Sequence, residues 1–250
     1  MNEAAKKYLD LNCKILEKFK STAPGSFSHC SNVANMCESI AKELDLDSDL
    51  IKLAGIYHDI GKMWNPGYFS ENITEKNPHD DLEPFVSYQI ITRHVSDSIC
   101  ILTGEKDFPR EVLEIISRHH GDTVLKSIYI KAKDENENVP KHAFQYKTNR
   151  PNCVYSSILM IVDSVEATAK SFHNLGKLET SEDRINLVEK IISDLCENEQ
   201  LDELKFGTLR RIKEKLIREL DSIYHHRVPY GDEDSDDEKT VKAVIKKKTE

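Results

Sequence analysis

Residues 154–172 read VYSSILMIVDSVEATAKSF, the most apolar stretch of this 250-residue chain. Its apolar side chains recur at three and four positions instead of alternating, which is the period of an α-helix. A helix so apolar is expected to be the central one, covered by its neighbours. Asp163 breaks the pattern: it sits mid-helix between Val162 and Val165, where neither a cap nor a turn can employ its carboxylate. An unpaired buried carboxylate costs on the order of several kcal/mol, and no lysine or arginine lies within one helical turn of it. The helix therefore calls for a cation from elsewhere, either a metal ion or an arginine brought in by the fold.

The rest of the chain repeats the helical period. A first helix is predicted over about residues 3–20, ending before the turn Ala23-Pro24-Gly25-Ser26, and Ser26 or Ser28 can cap a second that carries Cys30, Val33, Ala34, Cys37, Ile40, Ala41 and Leu44 on one face. Asp47 or Ser48 can cap a third over 49–60. The stretch GKMWNPGYFSENITEKNPHD at 61–80 reads as a long loop, and long loops in compact domains are often functional. Asp81 is expected to cap one helix with Pro84 in its first turn and the stripe Val86, Ile90, Ile91, Val95, Ser98, Leu102, and another helix runs from Pro109 to Gly121. Residues 133–152, KDENENVPKHAFQYKTNRPN, are polar and aperiodic and read as a surface insertion. Helices follow at about 181–197, capped by Ser181, and 207–225, and the core is expected to end near Tyr230. No run reads as a strand, so the fold class is all-α: one compact helical bundle. The expected divisions are an N-terminal helix over 1–21, the main domain over 22–231 and a tail over 232–250. That tail has six acids in seven positions followed by a lysine cluster, the composition of a disordered end.

Composition excludes several classes of function. With 35 basic and 44 acidic residues the formal charge is -9, so no general basic field exists to attract a nucleic-acid polymer. No stretch approaches the roughly 20 apolar residues of a bilayer crossing, and the start MNEAAKKYLDLNCK lacks the apolar block of a signal peptide. The six cysteines are widely spaced and form no Cys-x-x-Cys pair. A reducing, cytoplasmic setting is expected, with the thiols acting as small hydrophobes. Oligomeric state is not legible.

Seven residues are candidate metal ligands: His29, the pair His58-Asp59, His94, the pair His119-His120, and Asp163. Each lies on or beside an apolar helix face, so all are expected to point inward. A single histidine so placed is usually a satisfied core residue. Five imidazoles and two carboxylates together are costly unless a divalent cation neutralises the acids and accepts the nitrogen lone pairs. Neighbouring residues on a helix diverge by about 100°, so the two pairs suit metals side by side, with a carboxylate bridging them. Metals about 3.5–4 Å apart are a recurrent device of phosphoester hydrolysis.

HDIGK at 58–62, with His29 before it and Asp163 after it, resembles the HD superfamily of metal-dependent phosphohydrolases. His94 and His119-His120 resemble its two-metal subset. Over about 22–231, the stretches APGSFSHCSNVAN, IYHDIGK, ENITEKNPHDDL, IITRHV, ISRHHGDT, MIVDSVEA and IYHHRVPY resemble the cyclic di-AMP phosphodiesterases of the PgpH type. The resemblance implies that His29, His58, Asp59 and Asp163 hold one divalent ion, that Asp59, His94, His119 and His120 hold the other, and that iron or manganese is the metal. It implies a cyclic dinucleotide substrate, cyclic di-AMP, opened to linear 5′-pApA by metal-activated hydroxide. Asp59 and Lys62 are expected to act in catalysis, and Lys62, Asn77, His79 and Arg150 in substrate binding; the competing uses are a helix C-terminal lysine and caps of the loop. The chain departs from that family in lacking its membrane segments and in FQYKTNRPN, which replaces a run richer in proline and glycine. The Gly-Tyr-Pro element of the related cyclic di-GMP enzymes is absent. Other readings are a nucleotidase of the same superfamily, which would leave three ligands superfluous, and an idle nucleotide-binding module.

Overall fold

The helical period of the sequence becomes ten α-helices among the described residues, with no strand, in a computed structural model that describes residues 3–224. The proposed tail, the core's end near Tyr230 and most of IYHHRVPY lie outside the described residues. A 3₁₀ segment, Glu3–Leu9, precedes α1, Lys14–Thr22. The single helix expected over 3–20 is broken because Asp10 accepts a hydrogen bond from the Asn12 amide at 2.9 Å and turns the chain. The second helix, α2 (Pro24–Glu43), begins earlier than expected, with Pro24 in its first turn. Ser26 is therefore no cap: it is buried, and its hydroxyl donates to Glu71 Oε1 at 2.7 Å.

Asp47 does cap α3 (Ser48–Tyr57), accepting from the Leu50 amide at 3.0 Å. The α-helix stops at Tyr57, short of residue 60, and a 3₁₀ turn, Ile60–Trp64, carries the chain onward. Gly61 permits this course. A Cβ there would meet the His94 carbonyl oxygen at 2.2 Å and the Ser98 amide nitrogen at 2.5 Å, so the turn rests directly on the start of the helix that His94 opens. The 61–80 stretch is a chain of 3₁₀ turns. The helix expected across 84–102 is two, α4 (Pro84–Thr92) and α5 (His94–Thr103), which meet at Arg93.

Next, α6 (Arg110–Ile116) ends before the two histidines, which occupy a turn closed by Gly121 at φ +54°, a left-handed conformation that favours glycine. Helix α7, Lys126–Glu135, fills part of what reads in sequence as aperiodic, and a 3₁₀ segment, Lys141–Phe144, follows. The remainder of that insertion is not all surface: Phe144 and Tyr146 are buried, and Gln145 forms an isolated antiparallel bridge with Val124. Central α8 (Val154–Asn174) buries an unbroken run from Ser156 to Asp163. Thr180, not Ser181, caps α9 (Ser181–Glu197) in a capping box with Asp183, and α10 (Phe206–Tyr224) closes the bundle.

The main core joins α1, α2, α3, α6 and α8, covered by α9 and α10, through residues such as Leu16, Ile40, Leu53, Ile116, Leu159 and Leu216. No helix among the described residues is long and apolar enough to cross a membrane. All six cysteines are free thiols.

Candidate metal centre

Five elements aim their polar side chains at one point. His29 comes from α2, His58 and Asp59 from the end of α3, His94 from the start of α5, His119 and His120 from the turn after α6, and Asp163 from the middle of α8. His29, His58, Asp59, His94, His119 and Asp163 are buried and His120 is half-buried. Donor atoms of Asp59, His94, His119 and His120 lie within 4.8 Å of one another, as do those of His29, His58 and Asp59, and those of His58, His119 and Asp163.

The histidine rings are turned by what their outer nitrogens find. His58 Nδ1 donates to the Gly55 carbonyl at 2.8 Å, His94 Nδ1 to that of Ile91 at 2.6 Å and His119 Nδ1 to that of Ile116 at 2.6 Å. His29 Nδ1 donates to the Glu166 carboxylate. Each bond keeps a proton on Nδ1 and turns Nε2 toward the centre, the orientation metal-ligating histidines use. Asp59 is shared between two groups of rings. Its Oδ1 lies 3.1 Å from His94 Nε2 and 3.8 Å from His119 Nε2, while its Oδ2 lies 3.3 Å from His58 Nε2 and 3.8 Å from His29 Nε2. Asp163 Oδ1 faces His29 Nε2 at 3.0 Å and His58 Nε2 at 3.6 Å, and its Oδ2 faces His120 at 3.9 Å.

This donor set fits divalent metal. His58 Nε2 and Asp59 Oδ1 are fully buried without a hydrogen-bond partner, a costly state for polar atoms that a cation between them relieves. His94 Nε2 also stands 3.3 Å from His119 Nε2 and 3.2 Å from His120 Nε2, three nitrogens crowded at one point. Nitrogen and carboxylate oxygen without thiolate form the ligand set of borderline and hard divalent ions.

Charge is arranged accordingly. Burial opposes ionisation of Asp59, but Lys62 and His58 outweigh it and hold its carboxyl well below the usual range. Asp163 is likewise held low against burial by its hydrogen bonds to His29 and His58. Burial disfavours a charge on His29, yet hydrogen bonds to Asp163 and Glu166 raise its pKa to about 10. Burial and the neighbouring His58 and His94 push His119 down to about 3. Burial and His119 push His120 well down too.

Residues 26–168 match the family described as HD domain. The chain belongs to this family. Over 223 residues it is 35% identical to the cyclic-di-AMP phosphodiesterase PgpH of Bacillus subtilis, covering 88% of this chain and 30% of that protein. Over 225 residues it is 35% identical to the protein of the same name from Listeria monocytogenes, covering 89% of this chain and 31% of that protein. The chain thus spans just under a third of the length of these curated relatives. A crystal structure of the L. monocytogenes phosphodiesterase PgpH HD domain in complex with cyclic-di-AMP is similar to it with a TM-score of 0.79 at 35% identity, over 86% of this chain and 99% of that one.

In this HD domain a cleft of about 590 Å³ opens over the centre, walled by Lys62, Phe69, Tyr146 and the outer half of α8, within the roughly 300–1,000 Å³ of ligand clefts. Lys62 reaches it, its Nζ 2.7 Å from Asp59 Oδ2 and 2.8 Å from Glu71 Oε1, and 5.0 Å from the Phe69 ring centroid. Burial opposes the lysine's charge, but Asp59 and Glu71 raise its pKa well above the ordinary value, so it is a fixed cation.

The other three expected substrate contacts are placed elsewhere. Asn77 Oδ1 accepts from the His79 amide at 3.1 Å as the cap of a 3₁₀ turn, and His79 is buried with its Nε2 donating to the Tyr68 carbonyl at 2.9 Å. Arg150 is held away by ion pairs to Asp122 at 3.0 Å and Glu199 at 2.7 Å, which line a separate cleft. Sequence reasoning missed Glu166, Glu71 and Tyr146. Glu166 lies three residues after Asp163, a spacing that puts both on one helix face. Phe144 and Tyr146 alternate within a polar run, the only local sign that the segment packs inward. Nothing in the sequence singles out Glu71.

Proposed function

We propose that this HD domain hydrolyses cyclic di-AMP to linear 5′-pApA using two divalent ions, iron or manganese. The observation that carries the reading is the division of Asp59, one oxygen toward His94 and His119 and the other toward His29 and His58, as a bridging carboxylate requires. The similarity to phosphodiesterases named for cyclic-di-AMP, including an HD domain crystallised with it, supports the choice of substrate. The bound ions supply Lewis acidity to the phosphoryl group and bring the pKa of water to near neutrality.

The chain's own residues bind and orient. Lys62 is the cation closest to the paired acids on the cleft wall, and its high pKa suits it to hold a phosphate oxygen as a permanent charge rather than to act as a proton donor. Lys170, farther along α8, gives the same wall a second cation. In the reaction the water oxygen would bond to phosphorus as the bond from phosphorus to the ribose 3′ oxygen breaks, the 3′ oxygen ending with one proton of the water as its hydroxyl, which leaves the 5′-phosphate on the linear product. A nucleotidase with one metal would leave His94, His119 and His120 without a task. The six free thiols support a reducing, cytoplasmic setting for the domain.

The test is chromatography of parallel manganese or ferrous reactions with cyclic di-AMP, cyclic di-GMP and mononucleotides. Accumulation of 5′-pApA, faster than opening of cyclic di-GMP, is expected. Preference for cyclic di-GMP, or cleavage of mononucleotides alone, overturns the assignment.

A further inference from the structure

Of the five histidines of the centre, four have their ring planes fixed by a hydrogen bond at Nδ1: His58, His94 and His119 to the carbonyl three residues earlier, and His29 to Glu166. His120 has no such bond among the described residues. Its Nδ1 lies 3.9 Å from Asp163 Oδ2, beyond hydrogen-bond reach, and only its Nε2 is engaged, 3.2 Å from His94 Nε2. Its imidazole instead lies against the Tyr146 ring, with centroids 4.2 Å apart and planes at 28°.

Tyr146 is itself held from several sides. Its amide donates to the Thr123 carbonyl at 2.9 Å, and the Leu125 amide donates to the Phe144 carbonyl at 2.9 Å, so residues 144–146 are laced to the segment that leaves His120. Thr148 Oγ1 donates to the Gly121 carbonyl, and Tyr88 Oη to that of Gln145. The ring is buried, and it forms part of the cleft wall over the metal centre.

From this geometry we infer that Tyr146 is the positioning residue for His120: its ring replaces the missing Nδ1 hydrogen bond and sets the imidazole plane so that Nε2 joins the donors of Asp59, His94 and His119. Stacking of two rings contributes on the same scale as the neutral hydrogen bonds that orient His58, His94 and His119. The phenol hydroxyl is not needed for this role, whereas the ring is. The metal-binding part of the inference rests on the function proposed above; the orientation of His120 does not.

The experiment compares the full chain with Tyr146→Phe and Tyr146→Leu. In manganese titrations followed by electron paramagnetic resonance, Tyr146→Phe should keep the wild-type stoichiometry and the signature of a coupled pair. Tyr146→Leu should weaken one of the two ions about 10–100-fold, the range for lost outer-shell partners of ligating histidines, and show the signal of a single ion. In the metal-free protein, histidine side-chain NMR should show His120 protons shifted by the tyrosine ring in the wild type and in Tyr146→Phe, and unshifted in Tyr146→Leu. Should Tyr146→Leu fail to fold by circular dichroism, Tyr146→Met, which fills the space without a ring, takes its place. Unchanged manganese affinity and unchanged His120 signals in the ringless variant overturn the inference. A wild type that takes up no manganese counts against the proposed function, and the His120 signals then decide the role of Tyr146 by themselves.

Discussion

Lys62 lies in the 3₁₀ turn that Asp59 precedes, and the lysine Nζ lies 2.7 Å from Oδ2, the carboxylate oxygen that also faces His58 and His29. In the metal-free protein this ammonium is a main counter-charge of Asp59. Lys62→Met should therefore destabilise the metal-free chain by about 3–5 kcal/mol, the usual cost of leaving one partner of a buried pair uncompensated. With manganese bound the loss should shrink, because the metal neutralises Asp59, while turnover falls about 10²–10³-fold for want of the phosphate-holding charge. Chemical denaturation with chelator and with manganese measures the first effect. Equal destabilisation in both conditions would count against the shared role.

Asp59 stands 3.1 Å from His94 in one group of rings and 3.3 Å from His58 in the other, whereas Asp163 is 3.0 Å from His29 in the one group but 3.9 Å from His120 in the other. Asp59→Ala should lose both metals and all turnover. Asp163→Ala should retain about one ion per chain, a stoichiometry set by the remaining donors. Elemental analysis of anaerobically purified protein distinguishes them, and full occupancy in Asp59→Ala would refute the bridging assignment.

Asp163 shows why the centre was legible. A carboxylate in the middle of the most apolar helix has no local partner, so its environment had to come from the fold, and histidines on apolar faces of other helices were the available complement. The helix period is local information, and it located the helical bundle even where turns at Asp10 and Arg93 break the expected helices. The orientation of each ring was not legible in the same way, since it depends on carbonyl positions and on Glu166. Tyr146 and Arg150 lay in one polar run and met opposite fates. Pairing of 144–146 with 123–125 carries the tyrosine over His120, while Asp122 and Glu199 hold the arginine outside the cleft. Those contacts join distant parts of the chain, which spacing within a run cannot report.

Glu166 accepts a hydrogen bond from His29 Nδ1 and is itself held by Asn32 Nδ2, which donates to its Oε1 at 2.8 Å. Glu166→Leu removes the acceptor and should weaken metal binding about 10–100-fold. Glu166→Gln keeps an acceptor oxygen without the charge and should lose less. Metal competition with a chromophoric chelator ranks the three proteins. Equal affinity in all three would mean that His29 is oriented by packing alone.

The two sides of the centre hold protons differently, and this predicts how metal uptake depends on pH. Against the effect of burial, the bonds to Asp163 and Glu166 raise His29 to about 10, and the neighbouring Cys30, Asp59 and Asp163 raise His58 well above its ordinary value. Burial instead keeps His119 near 3 and His120 low. At neutral pH His29 and His58 of the metal-free centre therefore hold an extra proton, whereas His119 and His120 do not. An ion entering there must expel them, and an ion entering between His119 and His120 need not. Because His29 has a raised pKa in the fold, it contributes stability to the metal-free protein that is complete below its ordinary value of 6.5 and is lost as pH rises through about 10. Metal competes with that proton, so affinity at the His29 side should climb about tenfold per pH unit for each proton displaced, from acid pH toward 9. Calorimetric titration in buffers of different ionisation enthalpy counts the released protons directly. A binding heat independent of buffer, with affinity level from pH 6 to 9, would show that His29 and His58 are already neutral when the metal arrives.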